Sequence, residues 1–271
     1  MFTWFRNRRR RKILQTHFPQ AWRQIMQEMV VHYSYLNTDE RCKLEDLVQI
    51  FIAEKNFEGC GGLKISAEIK VVVASQACLL VLGLPSFQYL QLQSILIYPT
   101  TVTIPPSRMS FFADSTAIVP DQQSILGQAS LRGPVLLVWD AVKRGARHPE
   151  QGHNVVYHEF AHILDMRDGA ADGTPELHNR NLYHNWVEIC SKEFHKLQKS
   201  VQNTQKTLLD CYGAVNEAEF FAVATELFFD RPLRMERELK ELYLVLSAYY
   251  RQDTALRQRR YRNLKSQTSH E

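Results

Sequence analysis

His158, Glu159 and His162 lie in the stretch HNVVYHEFAHILDM, residues 153–166. Two histidines four apart share one face of an α-helix, so both imidazoles can reach one metal ion at about 2.0–2.1 Å. Glu159 follows the first histidine and is placed to take a proton from a water activated on that ion rather than to bind the ion. Val155, Val156, Phe160, Ile163 and Leu164 recur at helical spacing. A packed apolar face and a metal face can therefore coexist on one helix. The plainer alternative is a buried helix whose histidines are merely hydrogen-bonded.

A catalytic zinc site needs a third protein ligand and keeps its fourth position open. NEAEFFAVATELFF, residues 216–229, reads as a helix buried on most sides, and carboxylates are out of place in it. Glu219 and Glu226 are seven apart and share a face, and Glu219 is the preferred ligand. Asn216 three residues before Glu219 also spells a helix cap with a reciprocal glutamate, and Glu217 reads as a solvated first-turn charge.

These motifs, together with FIAEKNFEGCGGLKI (51–65), VVVASQACLLVLGL (71–84), GPVLLVWDAV (133–142) and the continuation RDGAADGTPEL (167–177), resemble the Mlc titration factor A family of zinc metallopeptidases. That family is similar in its active-site half to anthrax lethal factor. The resemblance covers roughly residues 20–250. It implies one Zn2+ per chain held by His158, His162 and Glu219, with Glu159 as base. It also implies that Tyr212, seven residues before Glu219, faces the metal from the opposite side as a donor to the oxyanion; on the residues alone, Tyr212 is an ordinary half-buried aromatic. The implied activity is peptide hydrolysis of aminopeptidase type on a peptide or protein substrate. The family name adds a transcriptional repressor of the Mlc type as a partner, and with it the alternative of a non-catalytic protein that sequesters such a repressor. A structural zinc site is disfavoured by the adjacent Glu159 and by the lack of a fourth closing ligand.

Asp165 and Glu226 fall where either could orient an imidazole, or where each could be a surface or helix-end charge. His153, His178 and His184 have no chelating partner four residues on and read as loop or core histidines. RDGAADGTPEL is a turn-rich loop. GPVLLVWD reads as a buried strand, and the resemblance gives it the further role of pairing with an extended substrate.

The elements that must carry these residues follow from pattern. Helices are predicted over 19–35, 38–57, 153–166, 180–200, 216–230 and 232–250, and strands over 68–73, 93–98, 116–119 and 135–139, with ASQACLLVLGL (74–84) as a buried helix. The fold class is α+β. N-terminal helices and a small mixed sheet pack against a mainly helical, zincin-like C-terminal half with the active-site cleft between. One domain spans 19–250, with the sheet part at 60–142 and the metal-binding helical part at 150–250.

The net charge of +4 in 271 residues is unevenly spread. Residues 1–18 and 251–271 form basic segments that could attract nucleic acid or anionic lipid; they are read as solvated arms, and direct nucleic-acid binding is not expected. No apolar run is long enough to span a membrane, and the basic start lacks a signal-type apolar segment. Five cysteines without CxxC spacing suit reduced thiols, so the expected setting is the cytoplasm.

Overall fold

The computed structural model describes residues 2–85, 89–100, 133–177 and 179–268. Among them, helices α1 (Phe2–Leu14), α2 (Gln20–Met29), α3 (Val31–Tyr35) and α4 (Thr38–Glu54) precede β1 (Asn56–Gly59), α5 (Ala67–Leu80), β2 (Ser94–Tyr98), β3 (Val135–Val138) and α6 (Trp139–Arg147). The rest is helical: α7 (Val155–Asp165), α8 (Arg180–Gln202), α9 (Glu217–Asp230), α10 (Pro232–Glu238), α11 (Lys240–Tyr250) and α12 (Thr254–Thr268). The α+β expectation holds, with the strands confined to the upstream half. The expected strand at 116–119 and His178 lie outside the described residues.

The sheet has the order β1-β2-β3, and both pairings are parallel, so the mixed character expected of it is not found among the described strands. Phe57 aligns with Ile95, and Ile95 and Ile97 with Val135 and Leu137, which puts these five side chains on the buried face. A parallel pair needs a crossover, and α5 supplies it between β1 and β2.

Residues 68–73 are the clearest departure from the sequence reading: they form the first half of α5 rather than a strand. Ser66 starts the helix by accepting the Ile69 N–H. From Val71 to Leu80 every residue is buried, so no polar face remains to give a helical period. A valine lowers helix propensity by only about 0.5 kcal/mol, whereas burying its side chain is worth about 1.5–3 kcal/mol, so packing decides.

Within the two basic segments, Phe2–Leu14 and Thr254–Thr268 form helices that dock on the protein rather than free arms. Arg10 of α1 makes a two-pronged bond to Glu54 of α4 at 2.6 and 2.7 Å, and Gln49 donates to the carbonyls of Ile13 and Thr16 at the helix end. Arg257 of α12 reaches Glu40 at the start of α4. α4 itself opens with a reciprocal cap between Asn37 and Glu40.

The core is continuous from the sheet through α5 into the helical half. Phe51, Tyr89 and Phe160 pack ring to ring, and Trp186, Phe221, Tyr249 and Tyr250 form a second aromatic knot. α5 packs against both α4 and α7, and α7 packs along α9.

Candidate metal centre

α7 is fixed at its first turn. The Asn154 side-chain oxygen accepts the N–H groups of Val156 and Tyr157, each at 3.1 Å. Asn154 is held in turn, because its Nδ2 donates to Gln76 Oε1 on α5 at 2.9 Å and its backbone N–H donates to Glu226 Oε2 on α9 at 2.6 Å. Neither Asn154 nor Gln76 was singled out from sequence. An asparagine just before an apolar-periodic run is a helix-start signal that could have found the first.

The other oxygen of Glu226 accepts from His158 Nδ1 at 2.8 Å. One carboxylate thus anchors the start of α7 and orients its first histidine. With the Nδ1 proton committed to Glu226, Nε2 is the nitrogen left to meet a cation. Of the two acids that could orient an imidazole, Glu226 does so. Asp165 instead accepts the Gly173 N–H at 2.9 Å and ties down the loop after α7, while His162 Nδ1 stays buried without a partner. Burial pushes the Asp165 carboxyl up to about 7.

Glu219 sits in the first turn of α9. Asn216 caps that helix by accepting the Glu219 N–H at 2.9 Å, but the glutamate does not return the bond. Its carboxylate turns inward to the two imidazoles. Glu219 Oε2 is 3.0 Å from His158 Nε2 and 3.4 Å from His162 Nε2, and the two nitrogens are 3.3 Å apart. Ligands at about 2.0–2.1 Å in a tetrahedral shell stand about 3.3 Å from one another, so this triangle is one face of such a shell. Glu219 is fully buried, and neither of its oxygens receives a well-aligned hydrogen bond. An orphaned buried carboxylate costs several kcal/mol, and a cation shared with two imidazoles would remove that cost.

The electrostatics agree. Burial would raise the Glu219 carboxyl, but the two imidazoles outweigh it and hold the group down at about 2. Burial would lower His158, yet the facing carboxylates of Glu219 and Glu226, with Glu159 adding its charge, raise it well above an ordinary imidazole. Such mutual stabilisation is what a divalent cation would take over, displacing the Nε2 protons. Among the described residues these three form the one histidine–acid trio whose ligand atoms all lie within 4.8 Å of one another.

The walls of the site come from three segments. Glu159 is half-buried on α7 beside His158. Tyr212 lies in the short turn Cys211–Ala214, which Asp210 caps by accepting the Tyr212 N–H at 2.8 Å. Its ring is 6.0 Å from that of His158, and at 36 % it is exposed to solvent. The turn-rich loop after α7 closes against the start of α9. Gly173 has φ +75°, its carbonyl accepts from Trp186 Nε1 at 3.0 Å, and a Cβ there would come within 2.3 Å of the Glu217 carbonyl oxygen. Only glycine fits this seam. Glu217 is exposed, and His153 and His184 are exposed and outside the trio.

Comparison with known proteins fits this geometry. The family described as glucose-regulated metallo-peptidase M90 matches residues 4–251. An uncharacterized protein of Synechocystis sp. is 36% identical over 243 residues, covering 89% of this chain and 87% of its own length. Proteins called Mlc titration factor A, from Yersinia pestis and Yersinia pseudotuberculosis, are 28% identical over 236 residues, covering 84% of this chain and 83% of theirs. A match over residues 4–251, which include the helices that bring His158, His162 and Glu219 together, places the chain in the glucose-regulated metallo-peptidase M90 family.

Proposed function

We propose that this protein is a zinc-dependent peptidase of aminopeptidase type, with one Zn2+ held by His158, His162 and Glu219. The observation that carries the reading is the triangle of 3.0, 3.3 and 3.4 Å closed by a buried carboxylate that faces the two imidazoles. Two imidazoles and one carboxylate with an open fourth side form a catalytic rather than a structural donor set. Zinc, when bound there, would acidify a water toward neutrality and polarise the substrate carbonyl.

The chain's own groups supply the rest. Glu159 is adjacent to a ligand without being one, so its carboxylate can accept the proton of the attacking water and pass it to the leaving amine. Tyr212, across from His158, can donate its phenolic hydrogen to the carbonyl oxygen as negative charge develops there. β3 is an edge among the described strands and packs beside α7, which suits it to pair with an extended peptide. All five cysteines are free, in keeping with a cytoplasmic setting.

A second reading draws on the printed name of the Yersinia relatives: the protein binds and titrates a transcriptional repressor of the Mlc type. One variant separates the two. Glu159→Gln keeps the side chain's size, so zinc should stay at about one per chain while hydrolysis of amino-acid anilides falls by about 10²–10⁴. Equal turnover in the two proteins would remove Glu159 as the base. No turnover in the parent on any free-amino or blocked substrate would leave the repressor reading standing alone.

A further inference from the structure

Helix α1 carries Arg6, Arg8, Arg9, Arg10, Arg11 and Lys12 and no acidic residue. At about 100° per residue, Arg6, Arg10 and Ile13 fall on one side of it and Trp4, Arg8, Arg11 and Lys12 on the other. The first set faces the protein: Arg10 is locked to Glu54, and Arg6 and Ile13 are half-buried. The second set is exposed, and Arg8, Arg11 and Lys12 make no ion pair among the described residues. Trp4 and Phe5 are 59 % and 57 % exposed, stacked edge to face at 5.0 Å, with the Arg8 guanidinium 5.6 Å over the Trp4 ring. Two large aromatics held open to water beside a field of unpaired cations are costly for the isolated protein and call for an apolar, anionic partner.

The flank of the helix adds a receptor. Phe5, Arg6 and Arg9 line a pocket of about 350 Å³ with Lys55, Leu90, Leu92 and Gln93, and its only acid, Glu54, is paired to Arg10. Leu90 at its rim is 40 % exposed. Arg6 and Arg9 bring two guanidinium groups to this pocket, and neither makes an ion pair among the described residues. Guanidinium groups are the usual partners of a phosphate.

We infer that α1 is a surface-docking element for an anionic lipid bilayer, with Trp4, Phe5 and Leu90 entering the interfacial layer, Arg8, Arg11 and Lys12 lying on the headgroups, and the Arg6–Arg9 pocket taking one lipid phosphate. Exposed aromatics beside unpaired cations suit a helix that rests on an anionic headgroup layer rather than one that crosses it. No helix among the described residues is long and apolar enough to span. The contrast with α12 supports the choice. That helix is also basic and exposes Arg260, Arg262 and Lys265, but its described side chains include a single large exposed apolar one, Leu264, and no exposed aromatic pair.

The test is co-sedimentation of the full-length protein with vesicles. It should bind phosphatidylcholine vesicles containing about one-third phosphatidylglycerol, and bind pure phosphatidylcholine at least tenfold more weakly. The triple variant Arg8→Gln/Arg11→Gln/Lys12→Gln should lose affinity on the order of a hundredfold, at about fivefold per cation near an anionic surface. Trp4→Ala/Phe5→Ala should lose tenfold or more at unchanged charge. All five side chains are exposed, so circular dichroism and peptidase turnover should match the parent. Equal binding to neutral vesicles, undiminished binding by either variant, or release by inorganic phosphate at matched ionic strength overturns the proposal. So does binding of a short RNA with no binding of vesicles.

Discussion

Helix α9 has a histidine, a carboxylate and a tyrosine gathered at each of its ends. At the start, Glu219 meets His158 and His162, with Tyr212 beside His158 at 6.0 Å. At the finish, Asp230 lies 3.3 Å from His32, and Tyr157 is 5.6 Å from the same ring. Both acids are buried, and both have oxygens without a hydrogen-bond donor. Yet the first group is a candidate metal centre and the second is not, for two visible reasons. Glu219 has two imidazole nitrogens converging on one oxygen, whereas Asp230 has one, and that nitrogen also contacts the Phe229 carbonyl at 3.1 Å. The first group also opens to solvent through Tyr212, while His32, Tyr157 and Asp230 are all buried. Residue types and burial do not define a site; convergence and access do.

The comparison breaks most sharply on metal. Glu219→Ala should strip most of the zinc and lower turnover by about a thousandfold or more, while Asp230→Asn should keep both, as elemental analysis and anilide hydrolysis would read. Zinc retained in Glu219→Ala would remove Glu219 from the ligand set.

Next in size are the two tyrosines. Tyr212→Phe should lower kcat by roughly ten- to a thousandfold with KM and zinc unchanged. Tyr157→Phe should leave kcat alone and shift stability by at most about 1 kcal/mol, because its buried hydroxyl has no partner to lose. A raised KM at constant kcat in Tyr212→Phe would make Tyr212 part of the substrate wall.

Glu226 lies between the two groups and sharpens the border. Glu226→Gln should weaken zinc binding by about ten- to a hundredfold, measured by chelator competition, because it loosens His158 without removing a ligand.

The remaining difference is one of pH. Burial raises the Asp230 carboxyl from 3.8 to about 6, so the folded state holds that proton more tightly than the unfolded chain does. Its contribution is fully present below about pH 4 and is lost as pH rises through about 6, a change of up to about 3 kcal/mol. Asp230→Asn should remove that slope from the parent-minus-variant difference in denaturant midpoint. Glu219, held at about 2, carries the opposite sign in chelator-treated protein: its contribution is present above about pH 4.5 and fades as pH falls toward 2.

Much of the candidate centre was legible because its information is local. The four-residue histidine spacing and the out-of-place acid in an apolar helix are visible without knowing the fold. What stayed hidden depends on distant pairing. Glu226 is 68 residues from His158 and Gln76 is 78 from Asn154, so their roles could only be left open or missed. Residues 68–73 read as a strand because a helix buried all round has no period to show. α1 reads as an arm because its anchor, Glu54, is 44 residues away from Arg10.

The packing of α7 along α9 also bears on how the protein comes of age. The two histidines are neighbours on one helix, but Glu219 arrives from 57 residues beyond His162, after the 23-residue α8. A nascent chain would therefore offer a cation only two of the three proposed ligands. The third would join once α8 has folded back and α9 has docked. On the proposed ligand set, metal capture would certify completed tertiary structure, and a chain that stalls before that step would hold neither the metal nor the activity.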